Sequence, residues 1–595
     1  MSSKSDNPFK FWRELKRRKV IRVLTVYCAA AFVIIEVTNN VSDSLNLPDG
    51  IKKWVVIFLG IGLIITTLLS WIFDITPEGI QKTLPVEELQ TEDRPASSNS
   101  WRIATYASLL VIVFLILLNI FSGTFRSANL SNLKKSVAVL PFRYLSNDSS
   151  RIHFCGGMQD EINGHLSRIS TLSVRSRSST GRYKDTNKTS MIIGEELRAN
   201  FLIAGSVAFD KSRIKVWIQL VLAETDEHLW ANEYQEELSD IFNLQSKIAK
   251  DISRELKAVL TPEESINIDK KPTENIDAYN HYLIGNHFLN QLTPDSFWKA
   301  IDQYKIAIAM DPEFAEAYCN LAFTYIQLMG WFANPSKDYM PIVKSNLLKA
   351  LELDNKLGDA YYMLGAMNYL SEWDWDEAEK NFKKGLDFNP NFIMGMVEYA
   401  NFLSAMRRFD ESIRISRRTV ELDPLNPLAL NELAFPIWLT GETEQALEIF
   451  DESLKLDPDH QQTLWGLMYV YTEVGQYDKA VSILDDLIGK DEINEIPAYL
   501  LAHAGKLMVY LGKQQEAISY LNELNRRADE EGFKDTWPQA VIYIALGENE
   551  KALNLLEQAF IDRNFAMAQM NIHKDLDPLR SYDRFQDIIK KMNFP

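Results

Sequence analysis

The chain has 595 residues and 46% hydrophobic content, enough to fill several cores, so an intrinsically disordered tail is excluded. Its 81 Asp and Glu against 63 Lys and Arg leave a net charge of −18, and so acidic a surface repels phosphate backbones, which argues against nucleic acid as a partner. Cys28, Cys155 and Cys319 show no Cys-x-x-Cys spacing, so neither a zinc knuckle nor a disulfide framework is indicated, and each is expected to fill a small apolar site.

The first 22 residues carry eight Lys or Arg against Asp6 and Glu14, a local excess of 8 − 2 = +6. Three apolar segments follow, and about 20 helical residues are needed to cross a bilayer. The reading is a basic terminus over 1–19, a transmembrane region over 20–121 with spans at about 20–37, 54–75 and 103–121, and a linker over 122–135. The polar stretch from Thr76 to Arg102 reads as an exposed connection. Basic residues held on the cytoplasmic side, with three spans, put the domains beyond them in the periplasm or otherwise outside the cytoplasm of a bacterial inner membrane.

Residues 136–260 mix two periods. Ser136 to Pro141, Phe201 to Val207 and Arg213 to Leu222 predict strands, the last alternating Ile214, Val216, Ile218 and Leu220 on one face. Gly157 to Ile169 and Asp240 to Leu260 repeat apolar residues at helical spacing. An α+β domain is expected, with a linker near Pro262 to Thr273.

Residues 275–595 repeat themselves. Ala378, Ser412, Ala446 and Ala480 stand 34 apart, as do Pro390, Pro424 and Pro458, while Gly441 and Gly475 share the spacing. Small residues at fixed intervals let paired helices approach, and each proline closes a second helix because it cannot continue one. About eight units are expected, two stretched by insertions, in a right-handed superhelix. Pro436 falls inside a first helix and predicts a local kink.

These repeats resemble the tetratricopeptide family over more than half of the chain. The preceding domain resembles the TolB amino-terminal-like domain of bacterial membrane proteins, through Ser136-Val-Ala-Val-Leu-Pro-Phe142, Gly157-Met-Gln-Asp-Glu161, Gly205-Ser-Val207 and His228-Leu-Trp-Ala231. Where that family commonly has Asp-Gly, this chain has Gly156-Gly157. The resemblance implies a membrane-anchored multidomain chain: transmembrane helices, an α+β TolB-like domain, then an all-α solenoid. Some relatives place an adenylyl cyclase or winged-helix domain ahead of the membrane, and residues 1–19 are too few for either.

Phosphate-loop, dinucleotide, zincin, nucleophile-elbow and EF-hand patterns are all absent, and no cofactor, metal or catalytic residue is assigned. His153, Cys155 and His165 form only a weak metal-like set. The expected function is a non-enzymatic scaffold or adaptor of the bacterial envelope that docks protein or peptide segments, with the bilayer as a second partner and self-association left open. The alternative is a transmembrane signalling receptor or regulator. Setting small contact residues at Gly285, Ala322, Gly365, Ala400 and Ala434 turns Tyr282, Asn286, Phe323, Gln327, Tyr362, Tyr369, Asn401, Asn431, Phe435 and Trp438 toward the groove of the superhelix, and the 34-residue step adds Trp465 and Tyr469. None of these is Lys or Arg, so an apolar or neutral segment is the expected guest.

Overall fold

The computed structural model describes residues 133–146, 151–210, 212–331, 339–489, 492–530 and 536–595, together with two strands at 73–76 and 79–82 and scattered positions between 20 and 67. Two units, 1–133 and 134–595, are taken separately.

In the first unit the transmembrane reading is corrected. Among the described residues no helix is long and apolar enough to cross a membrane, which overturns the membrane-anchored fold class and gives no support there to the bilayer as a partner. The segment 103–121 lies outside the described residues, and 20–37 and 54–75 are described only in part. The end of the second segment is not helical. Strand β1 (Phe73–Thr76) pairs antiparallel with β2 (Gly79–Lys82), Phe73 opposite Lys82. Phe73 and Ile75 alternate with Asp74 and Thr76, the period of a strand rather than of a helix.

The second unit is mostly a helical repeat solenoid with one small sheet. Its sheet holds β3 (Ser136–Val139), β4 (Arg143–Tyr144), β5 (Ser173–Val174), β6 (Phe201–Asp210), β7 (Arg213–Leu222) and β8 (Glu227–Glu237), in the order β5-β3-β6-β7-β8 with β4 beside β6. β3 runs parallel to β5 and β6, and β6, β7 and β8 form an antiparallel meander. The alternation read in β7 is real: Ile214, Val216, Ile218 and Leu220 are fully buried.

Helix α1 (Ile152–Ser167) starts five residues before the expected Gly157, because Phe154, Cys155 and Met158 already face the core. Gly157 is required there: a Cβ would lie 2.6 Å from Leu283 where α1 crosses the first repeat. Short helices α2 (Arg177–Gly181) and α3 (Ser190–Glu196) precede β6, and α4 (Ile241–Glu255) packs on α1 and β8. The expected linker is instead α5 (Pro262–Asp269), nucleated by a capping box between Thr261 and Glu264 with Pro262 in its first turn.

Eight helical pairs follow among the described residues. Their first helices are α6 (Ile276–Leu289), α8 (Ala315–Trp331), α10 (Gly358–Met367), α12 (Ile393–Ala405), α14 (Pro427–Leu439), α16 (Gln461–Glu473), α18 (Ala498–Tyr510) and α20 (Trp537–Ala545). Their second helices are α7 (Pro294–Met310), α9 (Tyr339–Leu353), α11 (Trp375–Phe388), α13 (Phe409–Leu422), α15 (Thr443–Leu456), α17 (Tyr477–Ile488), α19 (Gln514–Glu530) and α21 (Asn549–Ile561), and α22 (Asp583–Met592) comes last. Ala378, Ser412, Ala446 and Ala480 are fully buried, as the period requires. Gly441, Gly475, Gly512 and Gly547 turn first helix into second with φ between +75° and +98°, a conformation only glycine adopts without strain.

Pro436 has a specific explanation. Its missing N–H would have bonded the Glu432 carbonyl, and the buried Ser416 hydroxyl donates to that oxygen instead, at 3.4 Å. A second irregularity is the π-turn Asn368–Glu372 that ends α10.

Candidate partner-binding groove

The α+β domain is seated on the loops between repeats. Asp423, nearly fully buried, accepts from Ser178 Oγ at 2.6 Å, from Ser179 Oγ at 2.5 Å and from Ser176. Asn391 Nδ2 donates to Ser167 O at 2.7 Å and Arg418 Nη1 to Ser173 Oγ at 3.1 Å. This docking leaves the shared face of the first helices uncovered by the domain at α14 to α20.

Another part of the chain covers much of that face. The segment from Arg563 to Phe594, the tail, touches the first helices in sequence. Arg563 Nη1 donates to Glu372 O at 3.2 Å, Asn571 Nδ2 to Ala405 O at 3.3 Å, and the Lys574 ammonium lies 4.2 Å from the Trp438 ring centre. His573 sits 5.9 Å from the Tyr469 ring and 5.1 Å from that of Trp537. Met567, Met570, Leu576 and Leu579 are fully buried in the same core cluster as Tyr369 and Phe402.

At the centre of this contact Asp575 is ion-paired with Lys506 of α18, which also pairs with Glu473 of α16. His573 Nδ1 and His503 Nδ1 stand 3.3 and 3.8 Å from the Asp575 carboxylate. Burial alone would lower the Lys506 ammonium, but Asp575 and Glu473 hold it well above its usual range. Burial pushes His503 down to about 4, so the ring is neutral at pH 7, and His573 is lowered for the same reason. Burial would raise the Asp575 carboxyl, and His573, Lys506 and His503 together keep it below the ordinary value.

The twelve groove residues divide evenly. Tyr282, Tyr362, Tyr369, Asn431, Trp438 and Tyr469 are buried, whereas Asn286, Phe323, Gln327, Asn401, Phe435 and Trp465 are half-buried. Tyr282 and Asn286 are tied together inside the first pair: Asn320 Nδ2 donates to both, and Tyr304 Oη donates to Asn286 at 2.6 Å. Tyr362 packs against the second helix of its own pair, where a Cβ on Gly385 would lie 2.7 Å from its ring. Phe435, Trp438, Trp465 and Tyr469 form one aromatic group, the last two stacked at 5.9 Å.

Four groove residues carry buried polar atoms with no hydrogen-bond partner among the described residues: Tyr362 Oη, Tyr369 Oη, Asn431 Oδ1 and Trp465 Nε1. Two kinds of charge were missed. Lys506 stands in the row of Asn401, Phe435 and Tyr469, but Gly475 to Gly512 is 37 residues rather than 34, and this insertion hid it from a fixed step. Glu398 and Glu432 are one repeat apart, and that 34-residue spacing is the signal that would have found them.

In the α+β domain a cleft of about 1180 Å³ lies beside Arg143, His153, Asp160, Arg177 and Trp217. Its cysteine is not activated: the Cys155 thiol faces Phe142 O at 3.4 Å and burial pushes it up to about 11. His153 Nε2 meets Asn280 Oδ1 at 2.6 Å, and among the described residues no three His, Cys, Asp or Glu side chains could hold a metal ion.

The tetratricopeptide repeat model matches residues 438–504. The helical pairs within that stretch are tetratricopeptide repeats. The family described as HilA/YgeH-like transcriptional regulator, second domain, matches residues 133–251. The putative adenylate cyclase 3 of Rhizobium meliloti (strain 1021) is 26% identical over 41% of this chain and 42% of its own length. The transcriptional regulator HilA of Salmonella typhimurium (strain LT2) is 25% identical over 49% of this chain and 46% of its own. The chain thus spans less than half the length of either relative. Among solved structures, YrrB, a tetratricopeptide protein with an unusual peptide-binding site, is 23% identical over 34% of this chain and 97% of its own, with a TM-score of 0.25.

Proposed function

We propose that this chain is a non-enzymatic adaptor whose tetratricopeptide repeats hold a segment of another protein along the groove between the π-turn and α16. Tetratricopeptide repeats suggest a protein–protein interaction scaffold, and the observation that supports the finer reading is the half-buried surface of Asn401, Phe435 and Trp465, where Trp465 Nε1 has no hydrogen-bond partner among the described residues. Donors and acceptors left without partners cost free energy in the unbound chain, and the backbone of a docked segment would supply what they lack. We also read the α+β domain as TolB amino-terminal-like, a base that fixes the repeats through Asp423 rather than a catalytic unit.

The test places a photo-crosslinking residue at Asn401 or Phe435 in the groove, and at Ile306 on the second helix α7. Crosslinks to one partner from both groove positions and not from Ile306 support the reading, with Trp465→Ala weakening capture by about 1–2 kcal/mol. Equal labelling from all three positions refutes it. A second reading, a regulator whose repeats sense a partner for an output domain, draws on the match of residues 133–251 to a domain of transcriptional regulators.

A further inference from the structure

Before α22 the tail runs from Arg563 to Tyr582 without an α-helix, with only the 3-10 turns Phe565–Gln569 and Lys574–Leu579. It crosses the C-terminal ends of successive first helices. Arg563 meets Glu372 at the end of the π-turn, Asn571 meets Ala405 at the end of α12, and Lys574 meets Trp438 near the end of α14. A segment laid across the repeats in this way sits as a docked peptide sits. One helical turn further in, Asn401, Phe435 and Trp465 stay half-buried.

The central repeats are packed without the tail. The apolar clusters of α14–α19 contain no tail residue, and over α14–α18 the tail presents the polar run His573, Lys574 and Asp575. Its apolar residues close over Tyr369 and Phe402 instead. The polar contact is poorly matched: Asp575 Oδ2, His573 Nδ1 and His503 Nδ1 are buried without a hydrogen-bond partner among the described residues, whereas the large majority of such atoms in a protein core are bonded. Lys506 is the fixed half of this contact. Its side chain is 4% exposed, and the Tyr469 and Tyr510 rings lie 5.6 and 5.5 Å from its ammonium. The repeats themselves answer it with Glu473, and the groove side is left to Asp575 of the tail. We propose that residues 563–582 are the resident occupant of the groove, and that a partner docks by displacing them with a segment that sets its own carboxylate on Lys506. This rests on the groove reading above and gives the guest an acidic residue in place of the neutral segment expected from the sequence.

The test inserts a specific protease site between Asp562 and Arg563 of the full chain, so that cleavage after folding turns residues 563–595 into a separate fragment. The cut chain should keep its helix content, and a labelled synthetic fragment should exchange with the resident one. A fragment carrying Asp575→Asn should bind at least tenfold more weakly, and Lys506→Met in the cut chain should remove the difference between the two fragments. Crosslinking of the partner from Asn401 and Phe435 should rise at least tenfold once the fragment is washed out and fall again when it is added back. A fragment that never exchanges, a cut chain that loses helix as the fragment leaves, or equal binding of the two fragments overturns this inference. A partner crosslinked equally with and without the fragment also overturns it and leaves the groove reading standing. No crosslink from either groove position in any form of the chain overturns both.

Discussion

Replacing Asp575 with Ala strips the tail of the carboxylate that Lys506 holds, and the structure sets the size of the effect. The Lys506 side chain is 4% exposed and that of Asp575 1%, so the pair is almost fully desolvated. Removing one partner of such a pair costs about 3–5 kcal/mol, because the remaining charge stays buried and uncompensated. Glu473 still contacts Lys506, which places the expected loss at the lower end, about 3 kcal/mol. A long repeat array does not unfold in one step, so a global melting curve would blur this local change. Hydrogen exchange reads it directly: amides of residues 565–579 should exchange on the order of 100-fold faster, since each 1.36 kcal/mol is a factor of ten. The second arm is Lys506→Met with Asp575→Leu, which removes both charges and keeps apolar volume, and exchange should return to within about tenfold of the parent. Less than a threefold change in Asp575→Ala, or a double variant as open as the single ones, would refute the assignment of this pair as the clasp of the tail.

Ala446 is fully buried between α14 and α15, so Ala446→Leu should overpack that contact by about 1–3 kcal/mol, seen as faster hydrogen exchange in those two helices. Asp423→Ala leaves the buried Ser179 hydroxyl without its acceptor and should loosen α2 against α13 by about 1–3 kcal/mol; unchanged exchange in α2 would contradict that docking. His503 has a folded pKa of about 4 against 6.5 in the unfolded chain, so its contribution is present above pH 6.5 and lost as pH falls through 4. Opening of the tail should therefore rise over that window, and His503→Gln should flatten it. Glu398 runs the opposite way: its pKa is raised from 4.5 to about 7, so the stability linked to it is present below pH 4.5 and lost as pH rises through 7. Glu398→Gln should remove that decline, read as the local opening free energy of α12 by hydrogen exchange between about pH 5 and 8, and an unaltered decline would refute the assignment to Glu398.

The features that the sequence exposes are those that repeat. Ala446 and Ala480 could be placed at helix contacts because every unit poses the same steric problem at the same step, and the Ile214 to Leu220 alternation could be placed on a sheet because period two has one meaning. Features that occur once leave no such trace. Thr261 and Glu264 cap a helix through two reciprocal bonds, yet among prolines and charges they read as a linker. The paired strands at 73–76 and 79–82 end an apolar run whose hydropathy alone suggests a continuing helix. Met567, Met570, Leu576 and Leu579 follow no period, so nothing in their spacing announces that they close over Tyr369 and its neighbours. The groove combines both cases. Glu398 and Glu432 keep the repeat step and form a like-charged pair, an arrangement the unbound chain tolerates at a cost in free energy. Lys506 breaks the step by three residues, and that displacement puts a cation where the tail can answer it with Asp575. The same face therefore pairs its cation within the chain, while Glu398 and Glu432 have no ion-pair partner among the described residues.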